Sequence, residues 1–116
     1  MRNFGVCVVA AVALAGCSKT PPCEDEIGAF VAAQQFIRQE LLSPSTAEFP
    51  YISAEGNRIY PLTWHDGRCV FTIRTFVDAQ NAFGGTVRQK FSVTVTPILD
   101  QPDRWTLVSI QPEGGS

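Results

Sequence analysis

Histidine occurs once in this chain, at position 65. A zinc centre asks for several His or Cys ligands, and a hydrolytic triad asks for a His between an acid and a nucleophile. His65-Asp66-Gly67 reads as a turn, so no catalytic residue and no metal site is assigned. Basic side chains are also scarce. Nine Lys and Arg stand against eleven Asp and Glu, for a net charge of −2. That balance gives no global attraction to nucleic acid or to an anionic lipid surface. No glycine-rich loop follows a strand and opens a helix, so no phosphate cradle and no cofactor is expected. No spacing among the acids singles out a glycosidase pair. Long apolar runs are missing too. The longest stretch, Phe4 to Ala15, is about a dozen residues, and a finished membrane span needs roughly twenty.

That stretch has an order of its own. Met1-Arg2-Asn3 brings one positive charge, the apolar run follows, and Leu14-Ala15-Gly16-Cys17 closes it. A buried core helix is the alternative reading. The order and the four-residue motif resemble the lipobox signal peptide of bacterial lipoproteins, over roughly the first twenty residues. The resemblance implies that residues 1–16 are a discarded leader. It implies that the Cys17 thiol carries a diacylglyceryl group, and that Cys17 becomes a new N-terminus acylated again, with palmitate for example. Two or three acyl chains, at ~0.8 kcal/mol per buried CH₂, make a lasting membrane anchor. Residues 17–22 then form a short tether stiffened by Pro21 and Pro22. The protein would sit in the cell envelope with its domain facing the periplasm. Ser18 suits export to an outer membrane and Lys19 pulls the other way in some bacteria, so both membranes stay open.

The resemblance also simplifies the four cysteines. Cys7 leaves with the leader and Cys17 is lipidated. Cys23 and Cys69 remain as a pair in an oxidising compartment, where a disulfide is expected. A metal site would lack partners; two buried free thiols are the other option. Loss of Arg2 with the leader leaves eight basic against eleven acidic side chains.

Beyond the tether, one domain over residues 23–111 is expected, with residues 112–116 as a flexible tail. Residues 24–42 read as an amphipathic helix. Its stripe is Ile27, Phe30, Val31, Gln34, Ile37 and Leu41, flanked by Ala33 and Phe36. Acids fill its first turn and Pro44 ends it. Ser45-x-x-Glu48 has the spacing of a capping box, with Phe49 tucked under a short helical turn. Asp66-Gly67 predicts a two-residue type I′ hairpin turn, which pairs Trp64 with Cys69, Leu62 with Phe71 and Tyr60 with Ile73. Pro61 puts that first strand at a sheet edge. The next two strands carry apolar residues at odd positions: Cys69, Phe71, Ile73 and Val77, then Val87, Phe91, Val93 and Val95. Both odd sets share one face only if the loop between them has an odd count, such as five or seven. Thr72, Arg74, Asp78, Arg88, Lys90, Ser92, Thr94 and Thr96 then face water. A last strand starts at Arg104, with mixed alternation. The fold class is α+β: an N-terminal helix packed on a roughly four-stranded antiparallel β-meander.

Two segments, Val77 to Arg88 and Ser43 to Pro50, resemble a pattern in small bacterial and phage-borne secreted domains. This resemblance brings no activity with it. Phe83 is an aromatic residue on a polar, glycine-bounded loop. In the preferred reading Phe83 folds back on the sheet, Asn81 and Gly84 supply turn conformations, and Asp78 pairs with Arg88. In the functional reading Phe83 and Asn81, with Arg74, Arg88 and Lys90, meet a protein partner. The expected function is a membrane-anchored envelope lipoprotein with a non-enzymatic interaction domain, serving as an accessory, exclusion or immunity-type factor. The alternative is a small-ligand-binding or hydrolytic domain with a cleft between helix and sheet.

Overall fold

Four antiparallel strands, β1 (Arg58–Thr63), β2 (Cys69–Gln80), β3 (Thr86–Pro97) and β4 (Trp105–Glu113), lie in the order β1-β2-β3-β4. One helix, α1 (Glu26–Arg38), covers one face of this meander. The computed structural model describes residues 20–101 and 103–113. The leader, the lipobox and Cys17 lie outside the described residues.

A 3₁₀ turn, Pro22–Glu24, precedes α1 and takes the place of the first helical residues expected. Asp25 caps the helix, its Oδ1 accepting from the Gly28 N–H at 2.9 Å, which satisfies one of the helix's unpaired first-turn donors. The helix ends at Arg38, and i→i+3 bonds from Gln39, Glu40 and Leu41 tighten the chain ahead of Pro44. The buried face also differs from the expected stripe. Ala29, Phe30, Ala33, Ile37 and Leu41 face the sheet, while Ile27 and Val31 face out at 66% and 46% exposure. Small side chains explain the rotation. Ala29 and Ala33 let the helix backbone lie close on the sheet, and Phe30 and Ile37 fill the space on either side. Gln34 is half-buried and donates to the Pro50 carbonyl at 3.2 Å.

The odd-numbered face of β2 and β3 is the core. Phe71, Ile73, Val77, Phe91, Val93 and Val95 are buried there, and Phe71 meets Trp105 edge-on at 5.7 Å. Val87 lies beyond the cover of α1 and is 38% exposed. Gln80 pairs with Thr86, leaving a five-residue loop, as the parity argument requires. A disulfide joins Cys23 at the foot of the helix layer to Cys69 at the start of β2.

The first hairpin departs from expectation. The Trp64 N–H donates to the Arg68 carbonyl at 2.8 Å, and Thr63, not Trp64, lies opposite Cys69. That bond encloses three residues, His65, Asp66 and Gly67, with Gly67 at φ +87, and five residues lie between the paired Thr63 and Cys69, as between Gln80 and Thr86 in the second hairpin. Asp66 accepts from the Arg68 N–H at 3.1 Å. A glycine at positive φ serves a three-residue loop as well as a two-residue one, so the Asp-Gly signal was ambiguous. The one-residue shift turns β1 over. Ile59, Pro61 and Thr63 share the side of the core, and Tyr60 and Leu62 face outward at 48% and 52% exposure.

Between the helix and β1, the chain folds without a capping box. The 3₁₀ turn Pro44–Thr46 starts after Ser43, whose carbonyl accepts from the Thr46 hydroxyl at 2.7 Å. Glu48 makes a backbone bridge to Asp78, and Phe49 packs against the core with the Arg38 guanidinium 4.9 Å from its ring centre. Asn57 is buried and ties the loop before β1 in place. Its amide donates to the Tyr51 carbonyl at 2.8 Å and its oxygen accepts from the Thr75 hydroxyl at 2.6 Å.

The mixed alternation of the last strand comes from a bulge. Leu107 pairs with Val95 and Ile110 with Val93, with a register shift between Thr94 and Val95. One extra residue changes parity, so Trp105, Leu107 and Ile110 all pack against the core while Val108 is exposed. β4 also runs on to Glu113, into the expected tail. Pro112 pairs with Phe91 there, which an edge strand tolerates.

Candidate interaction surface

The loop between β2 and β3 is built by Asn81. Its side-chain Oδ1 accepts from the Phe83 N–H at 2.9 Å and from the Gly85 N–H at 3.0 Å. The Asn81 backbone N–H donates to Gly85 at 2.9 Å, and Gly84 takes φ +84. A side-chain amide that satisfies two loop donors selects one loop shape. Phe83 stands on that loop with 95% of its surface exposed. It does not fold back on the sheet, contrary to the preferred expectation. The Asn81 side chain, its neighbour at the start of the loop, is held by the loop's own backbone N–H groups.

Asp78 and Arg88 pair across the strands as expected, with Nε and Nη2 donating at 2.8 and 2.9 Å. The Arg88 guanidinium also lies 4.1 Å from the centre of the Phe76 ring. Its hydrogen bond holds the Asp78 carboxyl below the ordinary aspartate range, and Asp78 in turn pushes the Arg88 pKa up. Arg74 forms a fork with Glu113, at 3.0 and 3.2 Å, and its pKa rises for the same reason. Lys90 is exposed on the same face, opposite Glu113 in the register.

Sequence reasoning missed three members of this surface: Glu113, which it placed in the tail, and Arg58 and Tyr60. Arg58 pairs with Arg74, and Tyr60 with Thr72, once the register of β1 is corrected. Arg58, Tyr60, Arg74, Arg88, Lys90 and Glu113 line a shallow groove of about 390 Å³. The signal was the loop length of the first hairpin, which sets the face that Arg58 and Tyr60 share. Because Glu113 and Asp78 hold two of its arginines, this surface is a set of oriented ion pairs more than a bare cationic patch.

His65 is exposed at the tip of the first hairpin. The hairpin's Asp66 carboxyl is lowered, first by the Arg68 backbone N–H and then by the Arg68 side chain. Among the described residues, no group of three or more His, Cys, Asp or Glu is arranged to hold a metal ion, and no helix is long and apolar enough to cross a membrane.

The fold and this surface define a class: a small α+β domain with one helix on a four-stranded antiparallel meander and a disulfide between the layers. Comparison with protein-family models, with curated proteins and with solved structures gave no match.

Proposed function

We propose that this chain is a lipid-anchored envelope protein, held to its membrane at Cys17, whose domain engages an envelope protein partner without catalysis. The observation that carries the reading is Phe83, a large aromatic side chain 95% exposed on a loop braced by Asn81. An aromatic side chain held ready in the open loses little conformational entropy on binding, and burying it in a partner's pocket is worth roughly 1.5–3 kcal/mol. On the sheet face, Arg88 stands two residues past the loop's end at Thr86, with Lys90 and then Arg74 farther down the strands; Arg88 and Arg74 are oriented by acids. The twelve residues of β2 separate this loop from the disulfide, a distance of roughly 36 Å. A tether leaving beside Cys23 thus holds the Phe83 tip well away from the anchor. An accessory, exclusion or immunity-type role fits such a tip.

The test is a photo-crosslinking residue at Ala82, exposed on the same loop beside Phe83, in the native envelope. A discrete adduct that is lost with Phe83→Ala plus Arg88→Ala supports the reading. Absence of any adduct, with every envelope phenotype intact in that double variant, overturns it. Both side chains are exposed, so the variant should fold, less stable than the wild type only by the broken Asp78–Arg88 pair.

One observation favours a second reading. Val31, Ala32, Phe36 and Trp105 line an open groove of about 450 Å³ between α1 and β4. Its lining suits an apolar ligand more than hydrolysis, and His65 is not part of it. A saturable change in tryptophan emission on titration with a long-chain fatty acid would support this reading; a flat titration would dismiss it.

A further inference from the structure

The apolar surface at the disulfide end is the molecule's second exposed feature, and the Phe83 tip does not use it. Two shallow grooves meet there. Pro21, Pro22, Ile98, Leu99 and Trp105 line one of about 360 Å³, with Thr20 at its rim. Trp64, Val70, Pro97 and Leu99 line the other, of about 310 Å³. Leu99 and Pro97 belong to both, so an apolar strip runs from the first described residue to the first hairpin. Leu99 is 57% exposed and Trp64 41%. Leu62 extends the strip, pairing with Val70 across the outer face of the sheet.

The length of chain outside the described residues says what faces this strip. Cys17 lies three residues ahead of Thr20. Even fully extended, that span is at most ~11 Å. The headgroup layer on each side of the hydrocarbon is roughly 5–7 Å thick. A diacylglyceryl group on Cys17 therefore holds Thr20 at, or just above, the headgroups. The disulfide carries this constraint into the fold, because Cys23 is joined to Cys69 at the start of β2. The strip cannot stand far from the bilayer.

We infer that the disulfide end docks on the bilayer of its own anchor, with Trp64 and Leu99 inserted at the boundary between headgroups and acyl chains. This rests on the lipid-anchor reading above. Tryptophan suits that depth because its ring is apolar and its N–H is polar. The Arg68 guanidinium, 5.4 Å from the Trp64 ring centre, can keep its charge at headgroup level. Charge does not drive the contact. Arg68 and Arg104 share this end with Asp25, Asp66, Asp100 and Asp103, and Asp66 is already paired with Arg68. Docking should accordingly be apolar and insensitive to salt.

The test uses the full lipidated chain reconstituted in phosphatidylcholine vesicles carrying a nitroxide quencher just below the headgroups. Flotation and an intact mass first establish the anchor. Tryptophan emission should then be quenched, and Trp64→Phe should abolish most of the quenching, leaving the signal of Trp105. Adding phosphatidylglycerol or 0.5 M salt should change neither result. Protein that floats but shows unquenched Trp64 overturns the docking and leaves the anchor standing. Quenching that appears only with anionic lipid overturns the apolar footing. A chain that carries no acyl group and does not float overturns the anchor, and the docking with it. Trp64 is exposed, so its replacement should leave the thermal transition unchanged.

Discussion

The two hairpin loops use the same chemistry at opposite ends of β2. Each has a glycine at positive φ, Gly67 at +87 and Gly84 at +84. Each has an acid or amide side chain that accepts backbone N–H groups, Asp66 from Arg68 and Asn81 from Phe83 and Gly85. They differ in what surrounds them. The first loop sits beside a disulfide, and Arg68 both stacks on Trp64 and pairs with Asp66. The second loop is shaped by Asn81 and the positive φ of Gly84, with the Gln80 N–H at its base donating to the Thr46 hydroxyl at 3.0 Å, and it leaves Phe83 bare. A covalent clamp suits an end that must transmit an anchor's position. A loop defined by its own amide suits an end that presents one side chain.

The sharpest way to break this contrast is to remove the clamp. Cys23 and Cys69 are 46 residues apart, and closing such a loop in the unfolded chain is worth about 3–4 kcal/mol in the chain-entropy picture. Cys23→Ala with Cys69→Ala should lower the thermal midpoint by roughly 15–25 °C, measured by circular dichroism. Hydrogen exchange should then speed up more at Trp64 and Gly67 than at Asn81 and Gly85. Equal acceleration at both ends would mean that the disulfide stabilises the whole sheet and not the first hairpin.

β1 has a second attachment, at the end away from this clamp. Asn57 is buried and bonded to Thr75, Tyr51 and Ile52. Asn57→Ala leaves the Thr75 hydroxyl and two carbonyls without their partner, at a cost of about 1–3 kcal/mol. Urea unfolding should show that loss. Amides of β1 near Arg58 should exchange faster while those near Thr63 hold, because the disulfide end is untouched.

The glycines sharpen the comparison on equal terms. A Cβ at Gly67 or at Gly84 would meet no atom within 4 Å, so an alanine there pays only for the left-handed backbone. Gly67→Ala and Gly84→Ala should each cost about 1 kcal/mol. In a domain of this size that is a midpoint drop of roughly 4–8 °C. Gly84→Ala should also weaken any partner capture through Phe83, whereas Gly67→Ala should leave it intact.

The same contrast explains what could be read from the amino-acid order. β2 and β3 carry apolar residues at odd positions over most of their length, so a shared core face required an odd loop, and the loop has five residues. β1 offered no such signal. Tyr60 and Leu62 are as apolar as Ile59 and Pro61, and most of the strand is exposed on both sides. Its face was left to the turn, and Asp-Gly serves two loop lengths. In α1 the bulky Ile27 and Val31 outweighed Ala29 and Ala33 in the pattern, although close packing on a sheet favours small side chains. The Asp78–Arg88 pair was legible because register alone brings it together. The exposure of Phe83 was not, because it depends on which acceptor the loop's N–H groups choose.

Acid gives the smallest and most local test. Arg88's hydrogen bond lowers the Asp78 carboxyl from its ordinary 3.8. A carboxyl lowered by folding stabilises the fold at every pH above its unfolded value, and that contribution fades as pH falls through the folded value. The stability gap between wild type and Asp78→Asn should therefore be full above pH 3.8 and close as the pH drops below it. Asp66 shifts in the same direction, but its first cause is the Arg68 backbone N–H, and an asparagine oxygen can still accept that bond. Asp66→Asn should consequently show a smaller gap over the same pH range. Urea midpoints from pH 7 to pH 2 for the three proteins measure both gaps. If Asp66→Asn lost as much as Asp78→Asn, the ion pair with Arg68, and not the loop's own backbone, would be what holds the first hairpin's turn.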